Sequence, residues 1–462
     1  MEQCLGMALA NNLGLERAVV ESETARFDAL SSWGAFDWVL NVRGSYSDSE
    51  TEGSTFLSGG SVVETEQTQF DVDITKPMTW GGDFAFHFDT QISETNNQLF
   101  NSPELVQDNL RLTYTQPLFR GRGTEATTSS QKEAEIVERQ RREDRRSARQ
   151  SLLHNTEVAY WELVAAGQQL VVAQSALTLG QSQVERELAR VRAGDGTEVD
   201  VLQARTQVAT RQEALLQARN DVAQREDDLK QLIYADRDAD SWNLPLGPTT
   251  ILPRAAEAPI LPDWQDAYEL ALGRRSDLRN AKLTVDANRV RLTRARSDRL
   301  HGLDLQLTAS SNGVAEKSSG SFQDATQFEF PTYTVALTYN VPLQNRTAGN
   351  AERSANERLK GSKIALREAE MTALADIRRA LREVKFRSQA VLAAEQSLEL
   401  ARRQLEAEQK RFEADLTTTF EVLQFQQTWI EAQSTLSRAT VEYAKSLIGL
   451  QLAEGVVGEG NR

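Results

Sequence analysis

Apolar residues recur at every seventh position through two long stretches of the chain. Leu163, Leu170, Leu177, Val184 and Val191 form the first series, and Val384, Val391, Leu398, Leu405 and Phe412 the second. Each is followed by a short polar turn and a returning series: Val201, Val208, Leu215, Val222 and Leu229 after the first, Val422, Trp429, Leu436, Tyr443 and Leu450 after the second. Such spacing keeps one stripe of a helix apolar, so each stretch predicts an antiparallel helical pair packed along that stripe. The segment ARVRAGDGTEVDVLQAR from Ala189 is echoed 221 residues later by KRFEADLTTTFEVLQFQ from Lys410. One architecture is built twice.

Other stretches alternate with a period of two. Phe36, Trp38, Leu40 and Val42 oppose Asp37, Asn41 and Arg43. Phe70, Val72 and Ile74 oppose Asp71 and Asp73; Phe84, Phe86 and Phe88 oppose Asp83, His87 and Asp89; Leu110, Leu112 and Tyr114 oppose Arg111, Thr113 and Thr115. In the second copy the runs are Leu303-Leu305-Leu307 and Tyr333-Val335-Leu337-Tyr339-Val341. Each strand has one apolar and one polar face. A half-buried soluble sheet and a membrane barrel with a wet lumen both produce this alternation.

The predicted layout follows. A first repeat, residues 1–234, holds a short helix over 2–33, strands within 36–118 with an insert at 61–106, a long helix over 123–192 and a short helix over 198–234. A proline-rich linker occupies 235–262. A second repeat, 263–453, holds a short helix over 263–300, strands over 302–342, a long helix over 347–414 and a short helix over 418–452, and a flexible tail covers 454–462. At ~1.5 Å per residue each long helix makes a rod of about 100 Å. Pro117, with Gly121 just beyond it, and Pro342 end the extended segments that lead into these helices, since proline cannot donate to a strand ladder.

Composition narrows the function classes. The formal charge of -15 argues against general nucleic-acid binding, which depends on excess Lys and Arg. The basic run from Arg139 is interrupted by Glu143 and Asp144 and reads as a solvated helix face. No run approaches the ~20 apolar residues of a membrane helix, so a membrane crossing would use strands. His87, His154 and His301 fall in unrelated segments without metal-ligand spacing, and Cys4 has no partner, so no catalytic or metal site and no cofactor is expected. No phosphate-cradling Gly-Lys motif occurs. Met1 runs straight into a helical pattern, and the expectation is that a secretory leader lies upstream of this sequence.

The strand end TQPLFRGRG with its echo YNVPLQN, the two turns followed by an acid and Val-Leu, and the helix opening from Leu270 to Leu278 that mirrors Ala8 to Leu15 resemble the TolC-type outer-membrane efflux proteins. The resemblance covers nearly the whole chain. It implies a mainly α fold with β: a homotrimer whose chains each give four strands to one shared outer-membrane β-barrel, continued by a long periplasmic α-helical barrel, with the linker in an equatorial region. It implies that the turns dock a periplasmic adaptor, through Gly194, Thr197, Asp200, Val201 and Leu202 in the first copy and Thr418, Glu421, Val422 and Leu423 in the second. It also implies an acidic narrowing of the tunnel near these tips, for which Glu406, Glu408, Glu413 and Asp415 are the candidates by position. A handful of strands per chain independently requires oligomerisation, because unclosed edges in lipid leave backbone groups unpaired.

The expected function is a passive exit duct of a tripartite efflux or type I secretion system. An adaptor and an inner-membrane pump would be its partners, outer-membrane lipid its surroundings, and the periplasm the space its helices cross. An enzyme is not expected. The rival is a soluble coiled-coil scaffold, periplasmic or cytoplasmic.

Overall fold

In the computed structural model the chain forms eleven α-helices and six strands among the described residues, which are 1–52, 62–97, 102, 104–235, 239–249, 261–414 and 416–458. Two compact units result: Met1–Ser22, Gln140–Ala281 and Leu366–Arg462 in one, Glu23–Arg139 and Lys282–Ala365 in the other.

The first unit is helical. Its frame is α4 (Ser129–Ala193), from residue 140 onward, returning as α5 (Glu198–Ile233), and α10 (Arg346–Glu413), from residue 366 onward, returning as α11 (Thr419–Glu454). The seven-residue stripes are the packing surface: Leu163, Leu177, Leu215, Leu229, Val384, Val391, Leu405, Tyr443 and Leu450 are all buried. One core cluster draws on both copies, joining Leu152, Tyr160 and Trp161 to Leu229, Ile233, Val441 and Ile448. Part of α4 is apolar and long enough to cross a membrane by composition. Its Leu163, Val164 and Val172 are instead buried against other helices.

The opening helix of each repeat differs from expectation. In place of one helix over 2–33 there are α1 (Glu2–Asn11) and α2 (Leu13–Ser32), followed by a 3-10 turn at Trp33–Phe36. Asn12 is extended between them, with φ -74 and ψ 117. Its side-chain oxygen accepts from the Leu15 N–H at 3.0 Å, so Asn12 caps the second helix by leaving the first. The second repeat breaks at the matching place, between α7 (Trp264–Arg274) and α8 (Ser276–Arg299), where Arg275 has φ -66 and ψ 124. Ala8 and Ala271, equivalent residues just before the two breaks, are both 0% exposed. A short α6 (Ala239–Asn243) lies in the linker.

The second unit carries one antiparallel sheet in the order β1-β2-β3-β4-β5-β6. These are Val39–Glu52, Val62–Pro77, Asp83–Thr95, Glu104–Pro117, Gly302–Ala315 and Pro331–Asn340. The sheet holds all six alternating runs of the sequence, two more than the four strands per chain that the resemblance implies for the barrel, because the insert pairs along its length with both neighbours, from Val39↔Thr75 to Glu52↔Val62 on one side and from Asp83↔Thr115 to Glu94↔Glu104 on the other. A one-turn α3 (Thr124–Thr127) precedes α4, and α9 (Ser318–Thr326) sits between β5 and β6.

Candidate functional site

Register fixes which side chains share each face of the sheet. Leu40, Ile74, Phe86, Leu112, Ala309 and Tyr333 are paired in succession and form one row across all six strands. The next row, on the opposite face, is Asn41, Asp73, His87, Arg111, Ser310 and Thr332. The apolar face is uncovered on both edge strands: Leu40, Val42 and Tyr46 on β1, and Tyr333, Val335, Leu337 and Tyr339 on β6, are exposed, whereas over β4 and β5 the helix α9 lies on it, with Phe322 packed edge-on 5.8 Å from Phe88. Aromatic residues bracket this apolar band: Trp38, just before β1, and Tyr46 within it, and Tyr333 and Tyr339 along β6. At ~3.4 Å per residue and a tilt of ~40°, the β1 pair stands about 21 Å apart across the band, close to the ~25 Å height of a barrel's apolar belt.

The polar face is knitted together by side chains. His87 bridges Asp73, at 2.6 Å from Nδ1, and Asp89, at 3.0 Å from Nε2. Asn109 donates to the other Asp89 oxygen at 2.9 Å, and Gln69 donates to Asp71 at 2.8 Å. Most of these charged groups belong to β2 and β3.

Where strands turn into helices, Pro117 is the last residue of β4, paired with Asp304. Gly121 follows with φ 79; its N–H donates to the Ser297 hydroxyl at 3.1 Å and its carbonyl accepts from the Thr127 hydroxyl at 3.1 Å. Pro342 lies two residues beyond the end of β6.

At the opposite ends of α4 and α10 the chain reverses twice, by the same device. Gly194 takes φ 86 after α4, which glycine adopts without steric cost. Thr197 then caps α5: its hydroxyl accepts from the Asp200 N–H at 3.3 Å while the Asp200 carboxylate accepts from the Thr197 N–H at 3.1 Å. Thr418 and Glu421 make the same reciprocal pair at the head of α11, both bonds at 3.4 Å. The Thr417 hydroxyl and the Thr418 N–H donate to the Glu421 carboxylate and hold its pKa below the usual value.

The two turns of one chain also bind each other. The Arg190 guanidinium lies 4.5 Å over the Phe412 ring. Thr419 donates to the buried Glu187 at 3.1 Å, and Gln183 donates to the same oxygen at 2.5 Å. Arg211, buried behind them, donates to the Ala176 carbonyl at 3.0 Å and to Gln426 at 3.1 Å.

Among the residues expected at the tips, Val201, Val422 and Leu423 are buried within the hairpins, and Leu202 is exposed. Exposed Val199, Leu416 and Phe420 accompany it, and the sequence reading passed over them although each is an apolar residue off the seven-residue stripe. Of the acidic candidates, Glu406 is exposed and 3.6 Å from Arg402, Glu413 is exposed at the end of α10, and Glu408 is buried and paired with Arg411 at 3.3 Å. Asp415 lies outside the described residues. Arg211 also escaped notice, yet its spacing from Val208 and Leu215 puts it on the apolar stripe of α5.

The sequence profile described as Outer membrane efflux protein matches residues 83–233 and 267–456. The chain belongs to this family. Among curated members of known role it is 25% identical to the alkaline protease secretion protein AprF of Pseudomonas aeruginosa over 320 residues, covering 68% of this chain and 64% of that one. It is 26% identical to the pyoverdine export outer membrane protein OpmQ of the same organism over 321 residues, covering 68% and 63%. The chain thus spans a little under two thirds of the length of these efflux and secretion relatives. Solved structures place it in the TolC-like fold: CusC has a TM-score of 0.73 at 15% identity, covering 98% of this chain and 91% of that one. The Campylobacter jejuni CmeC outer membrane channel has a TM-score of 0.73 at 16% identity, covering 100% and 87%. Membership of a transport family assigns the chain no catalytic role.

Proposed function

We propose that this chain is the outer-membrane exit duct of a tripartite efflux or type I secretion system, assembled as a homotrimer and conducting passively. The observation that carries the reading is the two-faced sheet: an apolar face bracketed by aromatics, a polar face, and two unpaired edges. Six strands fall short of the eight that the smallest membrane barrels use. Each edge therefore needs a strand from another copy, and lipid is the solvent that suits the apolar face. A soluble scaffold would leave the edge-strand part of that face in water.

Cargo would arrive from an inner-membrane pump through a periplasmic adaptor docked at the helical tips. Gly194, Thr197, Asp200, Thr418 and Glu421 shape the tips, Val201, Val422 and Leu423 stiffen them from inside, and Leu202 presents apolar surface to the adaptor together with Phe420. Opening would part the two hairpins of each chain, at the Arg190–Phe412 and Glu187–Thr419 contacts. Glu406 and Glu413 are the residues proposed to give the narrow end its acidic lining, while Glu408 is committed to Arg411. The relatives AprF and OpmQ are described by unlike cargoes, a protease and pyoverdine. Selection of cargo by the pump accounts for one duct architecture serving both.

The test is to express the chain behind a secretory leader, extract membranes with detergent and measure the mass of the unheated protein. A detergent-requiring trimer in the outer-membrane fraction supports the duct. A detergent-free monomer or dimer sinks it. Crosslinkers at Leu202 and Phe420 then ask whether the captured neighbour is a periplasmic adaptor.

A further inference from the structure

We infer that the hairpin β2–β3 is part of the barrel wall, so that the trimer closes an eighteen-stranded barrel lined, in each chain, by the Asp73–His87–Asp89 network. This rests on the trimeric duct proposed above and goes beyond it, since the resemblance implies four wall strands per chain and the sheet has six.

Three observations place the hairpin in the wall. Its apolar side chains stand at the same level as those of the other strands: Val42, Val72, Phe88 and Leu110 are successive partners, as are Leu40, Ile74, Phe86 and Leu112. A hairpin projecting beyond the membrane would have no reason to continue the apolar rows in register. Its turn is anchored to the strand-to-helix corner, where the Gly123 N–H donates to the Trp80 carbonyl at 3.0 Å and the Trp80 indole donates to the Tyr114 hydroxyl at 3.3 Å. Its polar face is tied to β4 through Asn109 and Asp89.

Topology explains how the wall can grow by this amount. β1 runs away from the helical end and β4 runs back, so they are antiparallel whether or not a hairpin lies between them. Two inserted strands preserve that polarity, whereas one would reverse it, and the register of the hairpin keeps its apolar residues on the side where those of β1 and β4 fall. The diameter of a barrel grows roughly linearly with strand number, so eighteen strands make a wall about one and a half times as wide as twelve. The hairpin also brings four carboxylates, Asp71, Asp73, Asp83 and Asp89, to the lumen face.

Electron cryo-microscopy of the detergent-purified trimer counts the strands directly. Eighteen in the full chain, falling to twelve after excision of residues 62–97, is the expected result. A trimer with a twelve-stranded wall and the hairpin outside it overturns this inference and leaves the duct intact; a chain that does not trimerise overturns both. Should the excision fail to fold, cysteine labelling of the full chain in lipid nanodiscs decides. In a Cys4→Ser background, a membrane-impermeant maleimide should modify Thr75→Cys, on the polar face, at least tenfold faster than Ile74→Cys on the apolar one. Equal rates would place both positions in water and the hairpin out of the wall.

Discussion

A side chain on Gly81 would collide with the backbone at Gly121: its Cβ would stand 2.1 Å from the Gly121 carbonyl oxygen. Gly81 also has φ 99, and Gly121 φ 79, so each is in a conformation that L residues rarely adopt. The turn of the inserted hairpin meets the corner that launches α4 because Gly81 has no side chain, while Gly121, where a Cβ would meet nothing within 4 Å, is glycine for its positive φ. Gly81→Ala combines backbone strain with overpacking, and we expect a loss of about 2–4 kcal/mol. Gly44→Ala is the control, since a Cβ there meets nothing within 4 Å. It should change stability by less than about 0.5 kcal/mol. Thermal unfolding of the detergent-solubilised protein compares the two, and equal midpoints would mean that the turn is not held against the corner.

Arg211 and Gln426 form a deeply buried polar link between the two hairpins, at 5% and 0% exposure. Burial lowers the pKa of the guanidinium, but arginine keeps its charge in proteins. Its packing is made possible by Gly180, where a Cβ would approach the guanidinium to 3.0 Å. Arg211→Ala should cost about 2–3 kcal/mol, Gln426→Leu less, and the double variant should recover about 1–2 kcal/mol relative to their sum. A double-mutant cycle on unfolding midpoints reads the coupling. Strict additivity would show that the contact does not hold the hairpins together.

The reciprocal cap at Thr418 and Glu421 carries a pH dependence of known sign. A carboxylate whose pKa is lower in the folded chain stabilises it fully above the unfolded value, and that contribution disappears as pH falls through the folded value. The Glu421 pKa lies below its ordinary value of 4.5, so the tip is fully capped at neutral pH and loosens only under acid conditions. Amide protection at 421–423, referenced to intrinsic exchange at each pH, should begin to fall only at a pH below the ordinary glutamate value of 4.5 in the native chain. Glu421→Gln should abolish this step. A step that persists in the variant would assign the acid response elsewhere.

The parts of this architecture that obey a period were legible in the sequence. The seven-residue stripes became the buried seams of both hairpins, and the period-two runs became strands, including Phe70–Ile74 and Phe84–Phe88 of the insert. What stayed hidden depends on contacts between distant residues. The insert's place between β1 and β4 is a pairing choice, and alternation is the same for a strand in a wall and a strand beside it. The breaks at Asn12 and Arg275 carry neither glycine nor proline. They are stabilised by partners far away: Asn12 donates to the Leu232 carbonyl at 3.3 Å, and Arg275 reaches Asp376 at 3.3 Å. At the tips, Thr197–Asp200 and Thr418–Glu421 both have the Thr-x-x-acid spacing of a capping box, whereas the turnover of roles between buried Val422 and exposed Phe420 follows from how the second hairpin packs on the first.

Phe86 and His87 are neighbours in β3 and face opposite ways, which gives the membrane reading its sharpest local test. Phe86 lies in the apolar row between Ile74 and Leu112; His87 lies in the polar row between Asp73 and Arg111. If lipid covers the apolar row, Phe86→Arg puts a charge into hydrocarbon at a cost of about 2–4 kcal/mol near the midplane. His87→Arg places a cation beside Asp73 and Asp89 on the wet face and should cost less than about 1 kcal/mol. The yield of heat-sensitive trimer in the outer-membrane fraction separates them: a marked loss for Phe86→Arg and near-native yield for His87→Arg. The reverse order would turn the sheet inside out, with the aspartates on the outer side and the aromatic bands within. Equal tolerance would mean that water reaches both faces, and that the sheet of this chain does not lie in a membrane.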